Sequence, residues 1–279
     1  MRWRGVELKT PEQLVAMRRA GLVVAQTHVA LREAAAPGVT TGELDVLARE
    51  VLARHGATSS FLGYDGGYDD PPFPAVTCIS VNEEIVHGIP GDRVLAAGDL
   101  VSVDFGAIVD GWHGDGAITF GVGELSPADA RLSDVTREAM WAGIGAAHLR
   151  GRVGDISHAV ERRIREEPLT YGIVRDFTGH GIGSAMHQPP DVPNYGRPGR
   201  GTRIVEGLAL AIEPMVTLGS EEGLTLDDDW TVVTADGSRA AHWEHTMTVT
   251  SAGLWILTAL DGGEAELTAR GLPYGPLAD

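Results

Sequence analysis

The stretch SVDFGAIVDGWHGDGAITF, residues 102–120, carries Asp104 and Asp115 eleven positions apart, each inside or entering an apolar run. An unpaired carboxylate is costly in such a place. The first run alternates and is rich in β-branched residues, which predicts a strand. Asp110-Gly111 is a hairpin turn signal, and residues 111–120 read as the return strand. A two-residue turn sets Val109 opposite Trp112 and Asp104 opposite Ala117. Asp115 then shares a face with Asp104 as a diagonal neighbour, roughly 7–8 Å away at the backbone. A bulge at the glycines flanking Asp115 would change that register. Converging carboxylates repel, so they need a shared proton, a basic partner or a metal ion. The alternative is that both face solvent.

Further along, TGHGIGSAMHQPP holds His180 and His187, seven apart in glycine-rich backbone. Glycines there let the chain approach a neighbour closely. LALAIEP places Glu213 at the end of an apolar strand, just before Pro214, and AAHWEHTMTV places Glu244 between Trp243 and His245. Glutamate is seldom buried without a partner. Four carboxylates and at least one imidazole at strand positions fit a site for two divalent cations. An oxygen-rich donor set with one imidazole suits manganese, iron(II), cobalt(II) or zinc, with manganese and iron favoured.

The elements that must position these residues are legible from caps and periodicity. A helix is predicted from Thr10 to about Ala36, with Thr10 as cap, Pro11 at its first position and Gln13 three residues after the cap. Thr40 and Glu43 repeat the signal for a helix to about His55, stopped by Gly56. AVTCISVN and EIVHGIP read as strands around a turn at Asn82-Glu83. Ser126 to about Arg150 and Asp155 to Glu167 read as two more helices. From Ile173 onward short strands alternate with turns, and TVVTADGSRAAHWEHTMTV is predicted to form one long hairpin carrying Glu244. PGVTTGELDVLAREV and RGRVGDISHAVERRI echo one another, each following a long helix and preceding strands, so the chain reads as two similar α+β halves.

The 279 residues are 43% hydrophobic and 22% charged, enough for an ample core. No apolar run is long enough to span a bilayer, and the first residues, MRWRGVELKTPEQL, lack a signal-peptide core. A lone cysteine, Cys78, excludes an intramolecular disulfide and fits a reducing compartment, with the cytoplasm as the default location. A net charge of −17 argues against an extended nucleic-acid surface and against direct DNA binding. Arg2, Arg4, Arg18 and Arg19 are the one local hint of an RNA contact.

Asp104, Asp115, His180, Glu213 and Glu244, in that order, match the metal-ligand series of the methionine aminopeptidases, and CISVNEEIVHGIP, SVDFGAIVDGWHGD, GHGIG, AIEPM and EHT resemble that family's motifs. The resemblance spans nearly the whole chain and is to the compact bacterial type I form. It implies a single catalytic domain over residues 1–279 with the pita-bread fold. That is an α+β architecture of two pseudo-symmetric halves, roughly 10–123 and 124–250, with a curved antiparallel sheet inside and helices outside. By resemblance, Asp115 and Glu244 bridge two metal ions, Asp104 binds one, and His180 and Glu213 bind the other. The metals supply an activated water nucleophile and polarise the scissile carbonyl. Glu213 relays the proton, His187 stabilises the oxyanion, and His87 contacts the amide beyond the scissile bond. Phe61, Tyr64, Cys78, Met186 and Trp230 line the methionine pocket, with Cys78 a candidate reactive thiol and Phe73 only loosely placed. The implied substrate is the N-terminus of a nascent polypeptide with a small second residue. A monomer in transient contact with the ribosome is expected.

Three features depart from the family pattern: the longer loop GGYDDPPF, HQPP in place of His-Glu-x-Pro, and Gly116 after Asp115. Asp227-Asp228-Asp229 reads as a solvated turn, Asp69-Asp70 as loop acid and Glu83-Glu84 as turn chemistry. His28, His55, His113, His148, His158, His242 and His245 join no constellation of their own, and the arginines of 162–165 read as a polar helix face. Two other functions remain in view: an X-Pro peptidase on the same fold, and a non-catalytic relative that binds peptides or proteins.

Overall fold

A computed structural model describes residues 2–3, 5–65 and 71–278. A short ribbon, β1 (Arg2–Trp3) and β2 (Val6–Glu7), leads into helices α1 (Pro11–Ala34) and α2 (Thr41–His55). Both helices start at the predicted caps. The Thr10 side chain accepts from the Gln13 amide while Gln13 reaches back to the Thr10 N–H, and Thr40 and Glu43 repeat the exchange. Gly56 ends α2 in the left-handed region at φ 60°.

Strands β3 (Thr58–Ser59), β4 (Cys78–Val81), β5 (Glu84–Val86), β6 (Leu100–Val109) and β7 (Trp112–Gly121) follow. Helices α3 (Pro127–Ala146) and α4 (Val153–Arg165) open the second half. Next come β8 (Gly172–Ile173), β9 (Gly179–Gly181), β10 (Gln188–Val192), β11 (Ala209–Ile212), β12 (Met215–Thr217), β13 (Gly223–Thr225), β14 (Val232–Thr234), β15 (Ala240–His242), β16 (Glu244–Val249) and β17 (Leu254–Ile256). A short helix, α5 (Glu264–Ala269), closes the described chain. None of the described helices is long and apolar enough to cross a membrane.

The central sheet runs β10-β9-β11-β16-β7-β6-β3, with β17 added to β16 and β4 to β6, and every pairing is antiparallel. The helices pack outside it over two apolar cores. One joins α1 and α2 to β4, β6 and β7 around Val24, Leu31, Leu44 and Phe105; the other joins α3 and α4 to β11 and β16 around Leu132, Met140, Ile156 and Met247. This is the α+β pita-bread architecture that the resemblance implies.

The hairpin β6–β7 keeps the predicted register through ten consecutive pairs, Asp104 opposite Ala117 and Val109 opposite Trp112, with no bulge. Its glycines serve close packing instead. A Cβ on Gly114 would lie 2.7 Å from the Gly21 nitrogen, so α1 can rest directly on β7 only because that position has no side chain.

Several predicted elements differ: the strand at EIVHGIP stops at Val86, and the helix from Ser126 ends at Ala146 rather than near Arg150. Residues 231–249 are not one hairpin: the turn at Asp236-Gly237 forms, but β14 has both edges filled by β13 and β5, so β15 pairs with β12 and β16 enters the central sheet. The predicted strand at AVTCISVN begins only at Cys78. The N–H groups of Val76 and Thr77 donate instead to buried Asp45 of α2, at 2.9 and 3.0 Å, and the Thr77 hydroxyl donates to the same oxygen at 2.9 Å. Asp45 thus ties α2 to the chain entering the site. Asp45→Ala leaves three donors unsatisfied and is expected to cost about 2–4 kcal/mol in urea unfolding, with Asp45→Asn costing less.

Candidate metallopeptidase site

Strand register gathers the charged residues into two rows on one face of the central sheet. In the first row, Asp104 on β6 and Glu244 on β16 flank Ala117 on β7, whose small side chain leaves room between them. Cys78 on β4 sits opposite Asp104. In the second row, two residues along each strand, Asp115 stands beside Thr246, which is opposite Ala211, which is opposite His180. Because strand side chains alternate, positions two apart share a face, so both rows face the same way. Glu213 follows β11 directly, two residues beyond Ala211.

Thr246 fixes the second row. Its hydroxyl accepts from the Asp115 N–H at 3.1 Å and donates to the Asp115 carbonyl at 2.7 Å. The glycines around His180 are needed for the strands beside it rather than for a ligand. A Cβ on Gly179 would meet the Ala211 carbonyl oxygen at 2.5 Å, and one on Gly181 the Pro189 carbonyl oxygen at 2.4 Å. The loop after β9 is held by Glu7, which accepts from the Ser184 N–H at 3.0 Å, the Ser184 hydroxyl at 2.7 Å and the Gln188 side chain at 3.0 Å.

Asp104, Asp115 and Glu244 offer ligand atoms within 4.8 Å of one another, and so do His180, Glu213 and Glu244, and Asp115, His180 and His187. Glu244 is common to the first two groups, and Asp115 appears with both the acidic cluster and His180. Burial and mutual repulsion push the carboxyls of Asp104, Glu213 and Glu244 well above the ordinary carboxylate range, and burial raises Asp115 to about 7. His180 is neutral, its pKa lowered to about 3 by burial. Its Nε2 lies 3.3 Å from Glu213 Oε1, a contact between two groups that both favour the uncharged state rather than an ion pair.

Buried Asp104 Oδ1 and Glu244 Oε1 have no hydrogen-bond partner. Acceptors aimed at one another, left unsatisfied and converging with an imidazole nitrogen, fit divalent cations better than any protein partner among the described residues.

The rows form the floor of a cavity of about 150 Å³. Phe61, Phe73, Cys78 and Met186 make an apolar cluster against which Tyr64 and Trp230 pack. Phe73 is a full wall residue, 5.2 Å from the Trp230 ring and 6.5 Å from Phe61, both edge to face. The longer loop does not displace it, because paired backbone bonds between Phe73 and Tyr64 and between Gly63 and Phe73 close the loop at its base. Asp69 and Asp70 lie outside the described residues. Asp228 does more than the predicted solvated turn, since it accepts from the Trp230 and Thr231 N–H groups at 3.0 and 2.8 Å. The Trp230 indole N–H donates to the Pro71 carbonyl at 2.7 Å.

Cys78 is not the reactive thiol its position suggests. Burial, reinforced by Asp104 and Asp115, drives its pKa well above the ordinary value of 9.0, so it is a neutral wall.

His87 occupies the left-handed region at φ 59° and lies edge to face on Phe177 at 5.1 Å. Burial holds it neutral at about 4. A non-glycine residue held there is strained backbone at a site. The His187 ring stands 4.4 Å from His180, and its Nδ1 is bonded to the Tyr64 hydroxyl at 2.6 Å. Every predicted site residue therefore reaches the cavity. His242, which joins no constellation in the sequence, lines it too, with Nε2 3.7 Å from Glu213 Oε2 and no hydrogen-bond partner. Its position two before Glu244 is the one signal that could have found it. Phe177 and Thr178, just before the GHGIG motif, also line the cavity.

Residues 15–251 match the model of metallopeptidase family M24, and the chain belongs to that family. Within it, the chain is 53% identical over 260 residues to methionine aminopeptidase 1 of Mycobacterium tuberculosis, covering 91% of this chain and 96% of the relative. It is 46% identical over 250 residues to methionine aminopeptidase 1 of Bacillus subtilis, covering 90% and 98%. The crystal structure of methionine aminopeptidase from Thermotoga maritima is similar at TM-score 0.86 and 40% identity, covering 91% of this chain and 99% of that one. Prolidase from Pyrococcus furiosus, 20% identical at TM-score 0.70, covers 90% of this chain and 65% of its own and shares the fold.

The raised carboxyls make a signed prediction for metal-free protein. A group whose folded pKa exceeds its unfolded value contributes stability that is complete below the unfolded value and is lost as pH rises through the folded one. For Asp104 and Asp115 the unfolded value is 3.8, and the folded value of Asp115 is about 7. Asp104→Asn removes one such carboxyl. Its melting temperature without metal should gain on wild type as pH rises above about 4, and added Mn(II) should stabilise wild type far more than the variant.

Proposed function

We propose that this chain is a dimetal aminopeptidase that releases N-terminal methionine from new polypeptides whose second residue is small. The observation that carries the reading is the joining of a narrow apolar cavity to a floor of carboxylates and imidazole, in a chain whose relatives in sequence carry that activity in their names. The whole chain is read as one catalytic domain of two halves.

Asp104, Asp115 and Glu244 would hold one divalent cation, and His180, Glu213 and Glu244, with Asp115 shared, the other. Manganese, iron, cobalt and zinc all suit these donors. Bound there, the cations supply a deprotonated water near neutral pH and a Lewis acid for the scissile carbonyl.

The protein's own residues do the rest. Glu213, within reach of both His180 and His242, takes the proton of the attacking water and returns it to the leaving amine. His187 donates toward the developing oxyanion through Nε2, since its Nδ1 is engaged by Tyr64. His87, neutral and fixed against Phe177, binds the amide on the far side of the scissile bond. Phe61, Phe73, Cys78, Met186 and Trp230 enclose the methionine side chain, whose sulfur gains from aromatic edges. Full burial of such a side chain is worth about 1.5–3 kcal/mol. The protein is read as a cytoplasmic monomer that meets its substrate in transient contact with the ribosome.

The X-Pro alternative rests on a shared fold at about a fifth sequence identity, and the non-catalytic alternative conflicts with five intact ligand positions. Metal-free protein should be given Met-Ala-Ser, Leu-Ala-Ser and Ala-Pro-Ser with and without Mn(II) or Co(II). Metal-dependent release of methionine alone is the expected result. Release from Ala-Pro-Ser instead would transfer the chain to the X-Pro class. Glu213→Gln should lower kcat by about 10²–10⁴-fold, and unchanged turnover would remove Glu213 from the mechanism.

A further inference from the structure

The N-terminal arginines that hint at an RNA contact are engaged elsewhere. Arg18 is buried and donates to the carbonyls of Leu257, Ala259 and Leu260, while Arg19 pairs with Asp110 at 3.3 Å. Arg4 lies outside the described residues, as does the side chain of Arg2.

His242 is the reverse case, a buried polar side chain still without an occupation. It is 2% exposed, and its Nε2 has no hydrogen-bond partner. It lines the cavity and faces Glu213 Oε2 at 3.7 Å. A buried polar atom left unpaired beside a reaction site calls for a reason.

The backbone around that imidazole is built with care. Ser102 and Thr119 stand opposite each other, two residues along from Asp104 and Ala117, and so add a third row to the same face of the sheet. The His242 N–H donates to Thr119 Oγ1 at 3.0 Å and, more weakly, to Ser102 Oγ at 3.3 Å. The Thr119 hydroxyl donates to the His242 carbonyl at 2.6 Å. A hydroxyl has one proton to give, so the 2.8 Å contact between the two side chains is a donation from Ser102 to Thr119. On the other edge His242 pairs with Met215, two residues after Glu213, and the Trp243 N–H donates to the Pro214 carbonyl at 3.3 Å. The Asn194 side chain, itself 1% exposed, donates to the Glu213 carbonyl at 3.0 Å. The two backbones are thereby locked to each other, and only the Glu213 side chain is left to be aimed.

Its two oxygens look in different directions. Oε1 lies 3.3 Å from His180 Nε2, and Oε2 lies 3.7 Å from His242 Nε2. The second distance is longer than a hydrogen bond, but a small side-chain torsion closes it, and catalytic hydrogen bonds tighten when substrate is bound. We infer that His242 is the positioning residue of Glu213: its Nε2–H holds Oε2, so that Oε1 stays beside His180, turned to the cation that both would bind. The inference rests on the aminopeptidase reading of the site. An imidazole with a proton on Nε2 donates there whatever the state of Nδ1. A carboxylate tethered in this way cannot swing out of line with the water whose proton it takes.

The test uses the full chain as wild type, His242→Phe, His242→Ala and His242→Gln. Phenylalanine keeps the bulk of the ring without a donor, alanine shows whether any misfit of that ring matters, and glutamine keeps an N–H at similar reach. Melting temperature, Mn(II) binding by equilibrium dialysis, and kcat and KM for Met-Ala-Ser at saturating Mn(II) are measured for each. The phenylalanine and alanine variants should bind one of the two Mn(II) ions about tenfold or more weakly, and should lose about 10–100-fold in kcat with KM little changed. Glutamine should recover most of both losses, a rescue that a merely structural role would not give. If wild type itself releases no methionine, the peptidase reading fails, while the Mn(II) comparison still decides the role of His242. The inference is overturned if the phenylalanine and alanine variants bind Mn(II) as wild type does, or if the glutamine variant loses as much as they do.

Discussion

The repulsion among Asp104, Asp115, Glu213 and Glu244 is the constraint around which the rest of the structure is arranged. Four carboxyls converging in a buried place would each prefer either water or a proton, and their pKa values are raised accordingly. A free chain would splay them. Here they are fixed because each belongs to, or directly follows, a strand of one sheet whose partners set its register, and moving any strand by one residue would turn its charge to the opposite face. Energy from the cores and the hydrogen-bonded ladder offsets the strain at the site, and a metal ion would relieve it.

The surrounding devices read as ways of holding that register. α1 lies on β7 because Gly114 has no side chain to meet the Gly21 backbone. Thr246 locks Asp115 to the neighbouring strand with two hydrogen bonds through one hydroxyl. Glu7, from the other end of the chain, pins the loop between His180 and His187. The pocket wall is secured in the same manner: Asp228 shapes the turn that presents Trp230, and the Pro71 carbonyl accepts from its indole N–H. Ser60 and His113, linked at 2.9 Å, join the start of that wall to the hairpin. Thr246, Glu7 and Asp228 each use a polar side chain to fix backbone where no regular ladder runs.

Much of this is legible in the amino-acid sequence. Local signals carry furthest where one physical rule dominates: the capping boxes at Thr10 and Thr40, and the Asp110-Gly111 turn that fixes the diagonal of Asp104 and Asp115. The five proposed ligand positions follow from charge in apolar strands and from the resemblance, which orders them. Long-range competition is illegible. Nothing local to residues 231–249 says that both edges of β14 are already taken, so the apparent hairpin has no chance to form. Asp45 drawing off the N–H groups of Val76 and Thr77 is equally non-local. His242 escapes notice because a histidine beside tryptophan in a strand has no signature of its own, and its role appears only when Glu213 arrives from β11. The chemistry of Cys78 also depends on carboxyls brought by other strands.

The central claim is that register alone builds a place for two cations, with Glu244 shared between them. Equilibrium dialysis against saturating Mn(II), with bound metal per chain counted by mass spectrometry in wild type and Glu244→Gln, tests it most directly. The account predicts two ions in wild type and loss of both sites' high-affinity occupancy in the variant. Wild type that binds no metal, or a variant that retains two ions as tightly as wild type, would contradict it.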